Sequence, residues 1–210
     1  DESEKKSIVI LDDGFQHHKL NRDFDFVLID SQKKFDEFTI PIGNLREPPK
    51  ALKRANSVVF TKTENVKKED LEILEQTIKE VTSDLSFYNL NYTPISLVNR
   101  YGKKEIQEIS NKKIFLFSGI GNPMHFIDTV KNFNPFELKI QTFRDHYDFS
   151  EKVISLLIEN AKNSELIVCT HKDYVKIENF NRLKGFEKIY FISIEAKIDH
   201  EQALTKEIKD

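Results

Sequence analysis

Six short apolar runs constrain this chain more than any other feature: Ile8–Leu11, Phe26–Ile29, Val58–Thr61, Ile114–Phe117, Leu166–Thr170 and Ile189–Ile192. Each is rich in β-branched or aromatic residues and shows no alternation with polar ones. A strand with one wet face alternates, whereas a strand buried on both faces of a parallel sheet is apolar throughout. The stretches between them carry a helical period. Leu71, Leu74, Ile78 and Val81 share one face of a helix expected from about Lys68 to Val81. Val153 with Leu157, and Ile154 with Ile158, mark another that begins near Ser150, a good N-cap. Short strands alternating with amphipathic helices predict an α/β fold.

Between about Asn89 and Asn111 the pattern changes. Tyr92–Asn99 reads as an extended strand, followed by a turn at Tyr101-Gly102-Lys103-Lys104 and a second polar run, which together suggest a hairpin. The 210 residues suffice for one large or two small domains, and 39% hydrophobic content with 17 Phe suffices for a real core. A net charge of −3 makes no case for nucleic-acid binding, which needs clustered Lys and Arg. The single cysteine, Cys169, lies in an apolar run; it excludes an intramolecular disulfide and is expected to be buried and inert, as suits a reducing compartment. No apolar run approaches the ~20 residues that span a bilayer, and no signal peptide is visible.

Asp12-Asp13-Gly14-Phe15-Gln16-His17 follows the first apolar run. Paired carboxylates at the carboxyl end of a strand are hard oxygen ligands placed where α/β sheets bind ligands, as for Mg²⁺ with a nucleoside triphosphate. In P-loop enzymes the strand-end Asp is the Walker B element. The same letters also make an ordinary turn. Adjacent carboxylates on an extended strand point to opposite faces, so both reach one metal only if the chain has already turned, which Gly14 permits. His17-His18 is a poor metal pair, because adjacent histidines rarely converge and no third soft ligand is near.

Four further segments carry candidate chemistry. Arg46 and Glu47 sit in the Pro-framed loop Ile40-Pro41-Ile42-Gly43-Asn44-Leu45-Arg46-Glu47-Pro48. An Arg fork suits phosphate, and the bland alternative is a surface ion pair. Lys50, Lys53 and Arg54 continue a basic stretch that fits either a solvated helix or an anionic headgroup. Gly119-Ile120-Gly121-Asn122-Pro123 follows a strand and precedes a helix, a tight turn whose backbone amides can meet an anion. Asp145-His146 pairs a near-neutral titrating group with a carboxylate that orients it. Thr170-His171-Lys172-Asp173 follows the strand containing Cys169, and His200 is expected to be exposed.

In order and spacing these segments resemble the tetraacyldisaccharide 4'-kinase family, the lipid A pathway kinases. The DDGFQH run, the Arg-Glu-Pro loop, Phe117–Pro123, Phe143-Arg144-Asp145-His146-Tyr147 and Thr170–Lys176 correspond to its motifs over residues 8 to 177. The resemblance implies transfer of the γ-phosphoryl of ATP, with Mg²⁺, to the 4'-hydroxyl of a tetraacyldisaccharide 1-phosphate. It implies that Asp12 and Asp13 serve the metal, that Gln16 and His17 contact phosphate or sugar, and that Arg46 and Glu47 serve the reacting groups. Gly119, Gly121 and Asn122 would approach the nucleotide, His146 with Asp145 would assist the catalytic base across an interdomain cleft, and Lys172 and Asp173 would either contact nucleotide or cap a helix. At His18 and Lys19 the family often carries Arg, and at His171 it carries Glu.

The implied architecture is the C-terminal half of a Rossmann-like P-loop domain over 1–90, a two-stranded linker over 91–109 and a smaller Rossmann-like domain over 110–210. No G-x-x-x-x-G-K-[ST] occurs in the chain. The expectation is therefore a C-terminal part of the kinase, inactive alone, whose P-loop, catalytic Asp and membrane-facing element lie upstream. The expected partners are a glycolipid substrate and, peripherally, the cytoplasmic face of the bacterial inner membrane. Two other readings stand beside it: a non-catalytic α/β nucleotide- or partner-binding module, and a P-loop kinase or GTPase of a soluble substrate, given the distant NKxD echo in Phe60-Thr61-Lys62-Thr63-Glu64.

Overall fold

The computed structural model describes residues 8–33, 35, 38–43, 45–183 and 186–209. It is a mixed α/β fold whose strand pairs are mostly parallel. The chain divides into two compact units, one formed by Asp1–Tyr92 with Ala196–Asp210 and the other by Thr93–Glu195. No helix among the described residues is long and apolar enough to cross a membrane.

In the first unit β1 (Phe26–Asp30), β2 (Ser57–Thr61) and the first part of β3 (Ser86–Asn99) lie side by side and parallel. Helix α1 (Lys68–Lys79) makes the crossover from β2 to β3. Glu69 and Asp70 stand in its first turn and Lys79 in its last, matching the helix dipole. Its Ile78, fully buried, and Leu74 pack against Val58, Phe60 and Leu85. Every residue of β2 is buried, as its unbroken apolar sequence requires.

In the second unit β5 (Lys113–Ser118), β6 (Glu137–Thr142), β7 (Leu166–Cys169) and β8 (Ile189–Ile198) are parallel, in the order β8-β7-β5-β6. The helices are α2 (Met124–Lys131), α3 (Glu151–Asn160) and α4 (His171–Ile177). Because successive strand residues face opposite ways, one run supplies two cores. Phe115, Phe117, Ile167 and Cys169 meet Ile154, Leu157, Tyr174 and Ile177 on one face; Ile114, Leu116, Leu166 and Val168 meet Ile127 and Val130 on the other. Each such buried aliphatic or aromatic side chain contributes about 1.5–3 kcal/mol. Ser150 caps α3 by accepting from the Val153 N–H at 3.4 Å. The expected hairpin is β3 with β4 (Gly102–Glu105), closed by Asn99, whose Oδ1 accepts from the N–H groups of Tyr101 and Gly102.

The expected strand at Ile8–Leu11 does not form. Ile8, Val9 and Ile10 are 81–87% exposed and join no ladder among the described residues. An unbroken apolar run is a strand only where neighbours cover both faces and supply hydrogen bonds, and among the described residues β1, at the sheet edge, pairs only with β2. The C-terminal residues also differ from expectation, because α5 (Glu201–Lys209) belongs with the first unit. Its Glu207 carboxylate accepts from Ser57 Oγ and Tyr88 Oη, each at 3.0 Å, and from Ser86 Oγ. These three hydroxyls on β2 and β3 hold the helix where sequence periodicity alone could not place it.

Candidate active-site clusters

In the first unit the DDGFQH segment is a succession of turns. Asp13 adopts the left-handed region (φ 54°), so the chain has turned at the second carboxylate. The His17 N–H then bonds the Gly14 carbonyl at 3.0 Å and the Leu20 N–H the His17 carbonyl at 3.1 Å. Arg22, which sequence reasoning missed, braces this loop. Its Nη1 donates to the His17 carbonyl at 2.7 Å while its Nε is held by Asp25 at 2.7 Å, and that hydrogen bond raises the guanidinium pKa further.

The Arg-Glu-Pro loop folds back onto these turns. Arg46 Nη1 donates to both carboxylate oxygens of Asp13, at 2.6 and 2.5 Å. Glu47 takes different partners: Arg54 Nη2 at 2.6 Å and His18 Nε2 at 3.4 Å. The Arg54 guanidinium also lies 4.5 Å over the Phe15 ring. Arg54 is therefore a brace between the two motifs rather than one member of a solvated basic face. Gly43 makes the loop possible, since a Cβ there would stand 2.1 Å from the Phe38 carbonyl oxygen. Asn44 lies outside the described residues. Gln16 is partly buried, while His17, Lys50 and Lys53 are exposed.

Among the described residues no three His, Cys, Asp or Glu converge as a metal cage. Mg²⁺ bound with a nucleotide does not require one; it takes one or two carboxylates and fills its octahedron with phosphate oxygens and water. The exposed turn at Asp12 and Asp13 fits that role. Arg46 balances the Asp13 charge, while Asp12 is exposed beside it. At the carboxyl ends of β1 and β2, Lys62 adopts the left-handed region (φ 61°) and its Nζ meets Asp30 Oδ2 at 2.5 Å. Burial would raise the Asp30 carboxyl, but hydrogen bonds from Lys62 and the Gln32 N–H together bring it below its ordinary value.

In the second unit the candidate residues gather at the carboxyl ends of β5, β6 and β7. The chain leaves β5 toward β6 on one side and returns to β7 on the other, so β5 and β7 flank a topological switch point, where open α/β sheets bind ligands. Asp173, fully buried in the first turn of α4, spans that point. Its Oδ2 accepts from the Gly119 N–H at 3.0 Å and from the Thr170 hydroxyl at 2.6 Å, while Thr170 Oγ1 accepts from the Asp173 N–H. Thr170 is thus the helix cap, and Asp173 holds the Thr170 hydroxyl and pins the glycine loop. Asn122 Oδ1 accepts from the Met124 N–H at the start of α2.

The Asp145-His146 loop owes its shape to aromatic anchors. Phe143, Tyr147 and Phe149 pack on one another with ring centroids 4.7–5.2 Å apart, and Phe149 stands edge-on to Phe117. Lys176 Nζ bonds the Tyr147 carbonyl at 2.9 Å. Asp145 and His146 are left at the exposed tip, with His146 left-handed (φ 56°). Asp145 Oδ1 accepts from the His146 N–H at 2.9 Å and from Lys172 Nζ at 3.1 Å, and His146 Nε2 lies 3.8 Å from Oδ2. The bond from Lys172 outweighs desolvation and, with the His146 N–H, holds the Asp145 carboxyl below its usual range. His171 packs against the Phe191 ring at 4.4 Å. Cys169 is buried, which pushes its thiol well up, and His200 is exposed.

The family described as Tetraacyldisaccharide-1-P 4'-kinase matches residues 2–210. A tetraacyldisaccharide 4'-kinase of Flavobacterium johnsoniae is 31% identical over 202 residues, covering 94% of this chain and 57% of that protein. The Leptospira biflexa enzyme of the same name is 35% identical over 225 residues, covering 95% and 59%. A crystal structure of the "apo" form of LpxK from Aquifex aeolicus in complex with ATP is similar, with a TM-score of 0.69 at 25% identity. It matches 93% of this chain and 55% of that one. The chain therefore spans little more than half the length of these relatives. With a match running from residue 2 to residue 210, the chain belongs to the tetraacyldisaccharide-1-P 4'-kinase family.

Proposed function

We propose that this chain supplies part of an ATP-dependent kinase that phosphorylates the 4'-hydroxyl of a tetraacyldisaccharide 1-phosphate. The family match along the whole chain carries this reading. We read the first unit as the back half of a P-loop nucleotide domain, and residues 1–210 alone as inactive, because no phosphate-cradling G-x-x-x-x-G-K-[ST] is among them. The full-length enzyme would work peripherally at the cytoplasmic face of the inner membrane, where its glycolipid substrate is held.

Phosphoryl transfer of this kind depends on positioning and charge neutralisation. Asp12 would hold Mg²⁺, which would supply charge neutralisation on the phosphates. Asp13 fixes the Arg46 guanidinium, and that cation stands ready for a phosphoryl oxygen. Glu47, held by Arg54, keeps the loop in place. Gln16 and His17 lie on the same turns, open to phosphate or sugar. His146, at an exposed tip beside Asp145, would assist the catalytic base. Lys172 steadies Asp145, and Asp173 steadies Gly119.

The test is a transfer assay with full-length protein, labelled ATP and two acceptors, tetraacyldisaccharide 1-phosphate and a soluble glucosamine phosphate. Label in the glycolipid supports the reading, and label only in the soluble acceptor contradicts it.

A further inference from the structure

Among the described residues, the charged side chains seen against the glycine loop of the second unit are unfavourable to phosphate. Asp173 abuts Gly119, Asp145 abuts Gly121, and Lys172 is already paired with Asp145. Two carboxylates and one ammonium leave the loop with an excess of negative charge. The Gly119 N–H, the donor best placed for an anion, is committed to Asp173 Oδ2 at 3.0 Å. A phosphate here would meet like charge and no free donor from Gly119.

What remains open accepts hydrogen bonds. Asp145 is about half exposed, with its Oδ2 toward Gly121, where a Cβ would stand 3.2 Å away. Two fully buried side chains, Ser118 and Asp173, each carry an oxygen with no hydrogen-bond partner among the described residues: Ser118 Oγ and Asp173 Oδ1. Asp173 Oδ1 is aimed at the loop, 3.1 Å from where a Gly119 Cβ would be. Buried polar atoms are seldom left unpaired, so this place calls for a donor. Asp145 follows β6, the strand after the glycine loop, and an acidic residue about 20 residues beyond a glycine turn is the one that meets ribose hydroxyls in dinucleotide-binding folds.

We propose that Asp145, with the Gly119–Gly121 loop held by Asp173, forms a subsite for the hydroxyls of a sugar rather than for phosphate. It deepens the kinase reading and rests on it. The hydroxyls have two sources in that reaction, the vicinal pair of the nucleotide's ribose or the ring hydroxyls left unacylated on the acceptor disaccharide. In either case Asp145 accepts from O–H, and absence of a side chain at Gly121 lets the sugar reach the carboxylate.

The experiment uses full-length protein with Mg²⁺ and compares binding of ATP, 2',3'-dideoxy-ATP and inorganic tripolyphosphate by calorimetry, for wild type and Asp145→Asn. Hydrogen bonds to a carboxylate predict that the wild type prefers ATP over the dideoxy analogue by about 10- to 100-fold. Asp145→Asn should collapse that preference to a few-fold and leave tripolyphosphate binding unchanged. If instead the preference is absent in both proteins and the acceptor KM rises about 10- to 100-fold in the variant, the hydroxyls belong to the disaccharide and the subsite stands. Gly121→Ala should show the same selective loss with Asp145 intact, which guards against a folding defect in the first variant. Unchanged ratios together with an unchanged acceptor KM, or a loss greatest for tripolyphosphate, would overturn the subsite and leave the kinase reading untouched. Failure of the wild type to bind any of the three would sink both.

Discussion

Arg46 holds Asp13 through a single nitrogen placed 2.6 and 2.5 Å from the two carboxylate oxygens, across 33 residues of chain. Both side chains are more than half exposed, so the pair adds little to stability, about 0–1 kcal/mol. Its consequence is positional. It tethers the Arg46 guanidinium to the acidic turn, and among the described residues no ion pair engages Asp12. Arg46→Ala in the full-length enzyme should therefore leave the melting temperature within about 2 °C of wild type. It should lower kcat by roughly 10²-fold, the range for loss of one preorganised charge stabiliser. Thermal melts alongside steady-state kinetics check this, and a large drop in melting temperature with normal kcat would assign Arg46 to the fold instead.

His146 should behave as an acid–base partner. Its side chain is 78% exposed, so an alanine there should disturb little packing. His146→Ala is expected to lower kcat about 10²–10⁴-fold, with a smaller effect on the KM for ATP. A group engaged mainly in the transition state shows its loss in kcat, whereas uniform ground-state binding shows in KM. Normal turnover in a destabilised variant would sink this role.

Asp173 should matter first to stability. Truncation to Ala strands the Gly119 N–H and takes the acceptor from the Thr170 hydroxyl, at a cost of about 1–3 kcal/mol. Denaturant unfolding of residues 1–210 measures it directly. A cost below about 0.5 kcal/mol would fall in the range of neutral surface changes and contradict the pinning of the loop.

Acid should loosen the C-terminal helix through Glu207. Burial alone would raise its carboxyl, but the hydroxyls of Ser86, Tyr88 and Ser57 together hold it below the ordinary value. A depressed folded-state pKa contributes stability that is present above the unfolded value, about 4.3 for Glu. That stability is lost as pH falls through the lower folded value. Melting temperatures recorded from pH 7 to pH 3 should therefore fall more steeply for wild type than for Glu207→Gln, with the difference confined to the region below about pH 4.5. Parallel curves would show that the carboxylate charge has no part in the latch.

How much of this was legible in the sequence follows from the range of each interaction. Five of the six apolar runs are strands, because a buried parallel strand carries its environment in its own residues. Strand Glu137–Thr142 escaped notice for the converse reason: it lies at the sheet edge, carries Glu137 and Lys139, and is only partly buried. Ile8–Leu11 has the right letters and no neighbours, and letters alone do not make a ladder. The catalytic candidates were visible as motifs, but their partners were not. Asp145 with Lys172 spans 27 residues and Ser57 with Glu207 spans 150, and such contacts exist only once the sheet has formed. The braces Arg22 and Arg54 had no signal beyond a basic residue near a motif.

The acidic turn bears most directly on whether this fold serves phosphoryl transfer, and Asp12 is the carboxylate proposed to hold Mg²⁺. The decisive measurement is kcat of full-length wild type and Asp12→Asn for transfer from ATP to tetraacyldisaccharide 1-phosphate, across a Mg²⁺ titration. The expected result is a loss of about 10²-fold or more in the variant, not recovered at saturating Mg²⁺, with melting temperature unchanged. Near-normal turnover by Asp12→Asn at saturating Mg²⁺ would contradict the placement of the metal on this turn.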